Sequence, residues 1–381
     1  MIAKANQKAS TAARGNGLCS TRSSHVHAIA PPFSSGKLAP SCRPSPSMQT
    51  TRARLPRMFA VALAFIAPMA MAASQPADVH AALQGKLDAL SRRTQPGVFG
   101  IVVLDPRSGE RWRVNADRAY PMMSVFKAPV AAAVFAQIDS GKLSMERAIT
   151  LTRADIVGGS AVPSIGAHFH GGRMSFTVRQ LLAAAVSDSD NTAVDALLKL
   201  VPPQDVTAFL RAHGIAGMRV DMGEAGVDGV FEQLAPRQQP PANETAQAEA
   251  SRLQRGYRAY LADPRNRSTP DAAADFLRQL QHGTLLSPSS TRALLALLQA
   301  QTQPDRMRQG LPHDVQLADK CGTSYTLDGL TAAYNDIGIL TWPDGRSVIV
   351  AAFLTASTGS KAQREALFAD LARTIADTLH P

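Results

Sequence analysis

Cysteine is scarce in this 381-residue chain, with only Cys19, Cys42 and Cys321. Only Cys321 lies beyond residue 72, so no intramolecular disulfide can brace the bulk of the chain. Acidic residues are missing from the first 72 positions, which hold nine Lys or Arg and no Asp or Glu. The formal net charge of +10 belongs almost wholly to that stretch, because the remaining residues carry 31 basic and 30 acidic side chains. This near balance excludes a polyanion-binding reading of the remainder, and no nucleic-acid partner is expected. Long apolar runs are also lacking after residue 72, and no repeat period is visible. His168 and His170 form an H-x-H pair in a Gly-rich stretch. With no acidic or cysteine ligands nearby, they read as loop residues rather than a metal site.

What is present begins with a leader. Arg52, Arg54 and Arg57 precede an uncharged apolar run, Met58 to Ala72, that ends in the small-x-small pattern Ala70-Met71-Ala72. Residues 48–72 therefore read as a secretory signal peptide, too short for a comfortable membrane span. The product is expected to be exported, periplasmic or secreted, and free of the membrane after cleavage near Ala72. No cysteine follows that site, which argues against a lipoprotein. Residues 1–47, rich in Ser, Pro, Ala and Lys/Arg, read as a disordered segment or as an over-extended start with Met48 the initiator.

With 45% apolar residues, the chain can bury a sizeable core. Val98–Leu104 (VFGIVVL) and Arg111–Val114 pattern as strands around the turn Asp105–Gly109. An Ala-rich helical stretch runs from Ser124 to Ser140, where Gly141 ends it. Further helices are expected near 177–185, 192–200, 205–213, 271–282 and 288–301. Strands return at 315–320, 336–341 and 347–354, before a last helix over 361–379. The fold class implied is α/β (α+β): an antiparallel sheet flanked by helices, built from both chain ends, with an inserted all-helical domain. The division expected is 73–121 plus 306–381 for the α/β domain and 122–305 for the helical one. The catalytic groups would line the cleft between them.

Three motifs carry chemistry. In Ser124-Val125-Phe126-Lys127 the lysine stands one helical turn from the serine and on the same face, where its amine can reach the hydroxyl. Spacing alone proves little, since Ser34-Ser35-Gly36-Lys37 repeats it in the leader. The second copy differs in lying on an apolar helix, where a lysine must be satisfied by something and becomes a candidate proton carrier. Ser189-Asp190-Asn191 stands between two helical segments, and alone it would read as a helix cap. Lys320-Cys321-Gly322-Thr323 closes a strand; alone it would read as a charged edge, or as a place where a substrate passes close to the backbone.

In this order the three match the S-x-x-K, S-D-N and K-T-G set, and the chain resembles the class A β-lactamase family over about residues 80–380. The local text PMMSVFK, SDNTA and GLPHDVQLADKCGT carries the likeness. The resemblance implies that Ser124 is the acylated nucleophile and Lys127 its proton partner. Ser189 would relay a proton to the leaving nitrogen, and Asn191 would hold the substrate's side-chain amide. Lys320 would meet the substrate carboxylate, with Cys321 and Gly322 beside it. The backbone N–H groups of Ser124 and Thr323 would form the oxyanion hole. Val220-Asp221-Met222-Gly223-Glu224 resembles the family's Leu-Asp-Arg-Trp-Glu segment and makes Glu224 the base that directs water in deacylation. Arg306, in DRMRQGLP, resembles an alternative carboxylate-binding arginine, with Arg308 a near neighbour and a solvated basic patch the bland reading. The implied function is hydrolysis of the β-lactam amide bond by a monomer, with no cofactor and a small-molecule substrate. The alternatives are a related D,D-peptidase acting on peptidoglycan peptides and a slowly deacylating β-lactam or cell-wall-fragment binding protein.

The chain departs from the family in three places. Asp228 replaces an asparagine that helps hold the water, and sets a second carboxylate near Glu224. The Ω-loop, about 220–270, is much longer than usual, with a helix expected near 243–261 whose Leu253, Tyr257 and Leu261 share a face. That addition reads as a lid, a docking surface or a neutral elaboration. Cys321 stands where the family has Thr or Ser, whose hydroxyl donates to the substrate carboxylate; a thiol is larger and a weaker donor. Turnover is accordingly expected to be modest, and Cys321→Thr to raise kcat/KM for benzylpenicillin. An unchanged or lower value in steady-state assays would refute that reading.

Overall fold

The computed structural model describes residues 76–303 and 305–380; the stretches read above as a leader and a signal peptide, with Cys19 and Cys42, lie outside them. The β-branched, apolar run VFGIVVL forms β1 (Val98–Leu104), and the chain returns as β2 (Arg111–Val114). Short strands follow at β3 (Tyr120–Pro121), β4 (Ala148–Thr152), β5 (Arg173–Thr177) and β6 (Arg267–Ser268). The C-terminal third supplies β7 (Gln316–Thr323), β8 (Thr326–Leu327), β9 (Leu330–Thr341) and β10 (Ser347–Ser357). The main sheet is antiparallel and runs β2-β1-β10-β9-β7, with β8 folded onto β9. Strand β1 pairs with β10 from Val98↔Thr355 to Leu104↔Ile349, so both ends of the described chain build the sheet.

Alternation along β1 divides the core in two. Phe99, Ile101 and Val103 face the helices Pro76–Arg92 and Lys361–Leu379, meeting Leu83, Leu87, Phe368, Leu371 and Ile375. Val102 and Leu104 face the other way, toward the helical part. At its centre is the helix Lys127–Asp139, buried from Lys127 through Phe135. A helix that is largely apolar belongs inside, and the small side chains of Ala128, Ala131, Ala132, Ala133 and Ala136 let neighbouring helices approach closely. Around it stand Val178–Val186, Asn191–Leu198, Pro203–Ala212, Pro270–Gln281 and Pro288–Gln299. Among the described residues no helix is long and apolar enough to cross a membrane.

Several boundaries differ from the sequence expectation. Ser124 does not open the helix; it sits in a 3-10 turn, Met123–Phe126, entered through Met123 at φ +47. The region expected to be all-helical also holds the β4–β5 pair, whose largely exposed strands leave a weak apolar pattern. His168 ends a short helix, Ser164–His168, rather than lying in a loop. The helix Glu224–Glu232 escapes notice because two glycines lower its propensity, and tertiary contacts hold it instead.

The added helix of the long loop spans Ala246–Ala262, capped by Thr245. Its buried face is Arg252, Gly256, Tyr257 and Tyr260; of the expected stripe, Tyr257 is buried, Leu261 packs against the same core, and Leu253 is only half-buried. Tyr257 and Tyr260 join Phe231, Val227 and Ala332 in a third core between the Glu224–Glu232 helix and β9. The Tyr257 hydroxyl donates to Leu330 O at 2.7 Å and accepts from Ala332 N at 2.5 Å. The addition is thus packed against the sheet hairpin.

Gly256 makes this packing testable. Helix propensity alone favours Gly→Ala by about 1 kcal/mol. A Cβ at 256, however, would stand 1.9 Å from the Phe231 carbonyl oxygen. Gly256→Ala is therefore expected to destabilise the protein by about 1–3 kcal/mol in urea unfolding. A stabilised variant would show that the two helices are not in contact.

Candidate active site

The turn that carries Ser124 is held from the sheet side. Asn335 on β9, fully buried, donates through Nδ2 to Pro121 O at 2.8 Å and Met122 O at 3.0 Å. Strand β7 lies against the same turn at Gly322, where a Cβ would come within 2.4 Å of Met122 O and 3.1 Å of Ser124 N. The immediate reason for this glycine is the approach of the strand to the serine's own turn. That approach brings the ends of two separate elements, the turn at Ser124 and the strand end at Thr323, together.

Lys127 is 0% exposed and Glu224 3%. Lys127 Nζ donates to Ser124 Oγ at 2.9 Å, Ser189 O at 2.7 Å and Asn191 Oδ1 at 2.6 Å, and lies 2.9 Å from Glu224 Oε1. Ser124 Oγ in turn donates to Glu224 Oε1 at 3.1 Å. Ser189 adopts φ +59, which turns its carbonyl toward the lysine and its hydroxyl toward Lys320, whose Nζ donates to Ser189 Oγ at 3.1 Å. The bland reading of the triplet is also met, because Asp190 caps the Asn191–Leu198 helix through Ala193 N at 2.8 Å. Cap and site coincide: the cap fixes the backbone that presents Ser189 and Asn191.

Lys320, on β7, is fully buried, and burial lowers its pKa, with Lys127 and Arg306 adding to the fall against Cys321 and Asp319. Cys321 is buried beside it; its Sγ donates to Gln303 Oε1 and accepts from Gln301 Nε2, both at 3.5 Å. Arg306 is 2% exposed, stacks over the Tyr334 ring at 4.1 Å and donates to Thr323 Oγ1 and Asp305. A solvated basic patch is therefore not what this arginine forms. Arg308 instead holds Val315 O at 2.7 Å. Beneath the strand, burial and the neighbouring Asp319 push the Asp336 carboxyl well above its usual range.

Several participants were not singled out in the sequence. Asp195, four residues past Asn191 and on the same helix face, accepts from Glu224 N at 2.6 Å and Ala225 N at 3.1 Å. Its helical spacing from Asn191 was the available signal. Asn266 anchors the segment before Glu224: its Oδ1 accepts from Asp221 N at 2.7 Å and its Nδ2 donates to Met222 O at 2.9 Å. Nothing in the local text marks Asn266 or Asn335, because their partners lie far away in sequence. Among the described residues no group of three or more His, Cys, Asp or Glu is placed to hold a metal.

A serine hydroxyl between a buried lysine and a buried carboxylate, with two backbone segments converging on it, defines a serine acyl-transfer site. The sequence profile of the Beta-lactamase enzyme family matches residues 82–379. The extended-spectrum β-lactamase PER-1 of Pseudomonas aeruginosa is 32% identical over 277 residues, 72% of this chain and 80% of PER-1. A β-lactamase of Streptomyces albus G is 33% identical over 74% of this chain and 80% of its own. Among solved structures, the reconstructed last common ancestor of Gram-negative class A β-lactamases superposes with a TM-score of 0.63 at 33% identity, covering 78% of this chain and all of the ancestor. A β-lactamase from Chitinophaga pinensis gives a TM-score of 0.66 at 28% identity, over 78% and 99%. The chain belongs to the class A β-lactamase family.

Asp228 is the group through which pH is expected to act on stability. One side of the residue is open, yet the protein packed round its carboxyl, and then Glu224, Asp195 and Glu232, raise its pKa to about 7. The folded state therefore holds a proton that the unfolded chain releases near pH 4, and folding stability from this group falls as pH rises from about 4 to about 7. Asp228→Asn is expected to remove that dependence, raising the melting temperature more at pH 8 than at pH 5. Equal shifts at both pH values would show that Asp228 titrates normally.

Proposed function

We propose that this enzyme hydrolyses the β-lactam amide through an ester on Ser124, with Glu224 directing the water that releases it. The observation that carries this reading is the contact of the Ser124 hydroxyl with both Lys127 and Glu224 in a buried setting. Ser124 Oγ attacks the lactam carbonyl, and its proton passes to Glu224 Oε1 directly, or to Lys127 Nζ once that ammonium has given a proton to Glu224. The carbonyl oxygen, negative in the tetrahedral state, takes the Ser124 and Thr323 N–H groups; each such donor is worth about 3–4 kcal/mol of barrier. As the C–N bond breaks, Ser189 passes a proton to the departing nitrogen, a role supported by its place between Lys127 and Lys320. Asn191 would hold the substrate's side-chain amide. Lys320, Cys321, Gly322, Thr323 and Arg306 would line the carboxylate end, where Arg306 already touches Thr323. Deacylation reverses the geometry: Glu224 takes a proton from water, whose oxygen attacks the ester, and Ser124 regains its proton. A D,D-peptidase would lack a carboxylate set against the nucleophile, so the position of Glu224 favours the hydrolase over that alternative.

The basic stretch and apolar run of residues 48–72 support export of the enzyme, with cleavage near Ala72. A division into 73–121 plus 306–381 and 122–305 is consistent with β1 and β10 pairing across the chain.

Purified protein from residue 73 onward, mixed with benzylpenicillin and followed by intact-mass spectrometry, tests the mechanism. Ser124→Ala is expected to abolish turnover and adduct. Glu224→Gln is expected to slow turnover by about 10²–10⁴-fold while a stable acyl adduct accumulates. A long-lived adduct on the unmutated protein would instead identify a binding protein.

A further inference from the structure

The long loop that carries Glu224 also brings in a charge that the scheme above does not use. The helix Glu224–Glu232 begins at Gly223, which has no side chain to cap it. Asp195 does so from the neighbouring helix, through its contacts to Glu224 N and Ala225 N. The fit is close: a Cβ on Gly223 would lie 2.1 Å from Asp195 Oδ1. Asp195 thereby sets where the backbone of Glu224 stands, and Glu224 reaches Ser124 from that point.

This cap has an electrostatic cost. Asp195 is 8% exposed, and its carboxylate sits against the backbone of Glu224, within range of that residue's charge. Burial first, and then the Glu224 charge, raise the Asp195 pKa, while the N–H groups of Ala225 and Glu224 and the Arg237 guanidinium oppose the rise. Glu224 is faced by Lys127, Asp195 and Asp228. The cation facing Asp195 is Arg237, whose Nη2 lies 3.2 Å from Asp195 Oδ2. Arg237 comes from the Gln/Pro-rich part of the long loop and holds φ +64, a left-handed backbone that turns the chain there.

Taking the Glu224-directed deacylation proposed above, we propose that Arg237 is a positioning residue for that step, the counter-charge that keeps the Asp195 carboxylate beneath Glu224. With Arg237 present, each of the two acids has a cation beside it, Lys127 at Glu224 and Arg237 at Asp195. Without it, Asp195 carries an unbalanced charge against Glu224. The two carboxylates then move apart, which withdraws the base from the acyl ester. Acylation suffers less, because the contact between Ser124 and Lys127 does not run through Asp195.

The experiment is a charge-rescue cycle on benzylpenicillin, with acylation and deacylation rates measured separately by rapid quench and intact mass. Arg237→Ala is expected to slow deacylation by about tenfold or more while acylation changes by less than about threefold. Combining it with Asp195→Asn removes the charge that needs balancing, and is expected to restore most of the lost deacylation rate. Arg237→Lys keeps the charge and should stay close to the unmutated enzyme. Stoichiometric acylation of Ser124 shows in each case that the site has assembled; if Arg237→Ala does not fold, Arg237→Gln takes its place in the cycle. Unaltered deacylation in the uncharged Arg237 variant, or a double variant no faster than that single one, overturns the proposal. Failure of Glu224→Gln to accumulate adduct would overturn the base assignment instead, so the two outcomes are distinguishable.

Discussion

A lysine with no exposed surface must be met by oxygen on every side, and the centre of this protein is built around that requirement. Lys127 reaches Ser124 Oγ, Ser189 O, Asn191 Oδ1 and Glu224 Oε1, four acceptors from three separate segments. An unpaired charge in such a place would cost several kcal/mol, so removing any one partner weakens the placement of the others. The same contacts that satisfy the ammonium gather the side chains that acyl transfer requires. Stability and chemistry here share one set of hydrogen bonds.

The sheet supplies the second half of the arrangement. Pairing of β9 with β7 puts Asn335 opposite Gly322, and these two residues clamp the Ser124 turn from one side. The helical part presents Ser189, Asn191 and Asp195 from the other. Neither half holds a complete site, because the nucleophile's turn lies at their junction and takes its backbone support from β9 and its charge partners from the helices.

The long loop bears on the same centre through the Glu224–Glu232 helix. The aromatic contacts of Phe231 with Tyr257, Tyr260 and Tyr325 fasten that helix to the strand hairpin. The Tyr260 hydroxyl also contacts Met123 Sδ at 2.8 Å, one residue before Ser124. A segment that could have been a surface elaboration is tied at one end to the nucleophile's turn and at the other to Asp195.

The three motifs and the Glu224 segment were legible because each is a short run whose residue types and order are distinctive, and the last helix was placed correctly over Lys361–Leu379. The sheet built from both chain ends was legible too, since its strands are apolar runs bounded by turns. Less was readable where a residue acts through a distant partner: Asp195, Asn266 and Asn335 look like ordinary polar residues until folding sets them against backbone N–H and C=O groups. The helical face of the long loop was only partly legible: Tyr257 lies at its centre as expected, but a hydrophobic stripe counts Leu253 and not the close approach at Gly256. The sequence by itself determined the fold class and the family, and it picked out Ser124 and Lys127, which the fold brings into contact; all of these rest on local pattern and spacing. Tertiary structure alone decided the burial of Arg306, the capping of Glu224 by Asp195 and the reach of Arg237, because these depend on which surfaces meet, and no local pattern encodes that.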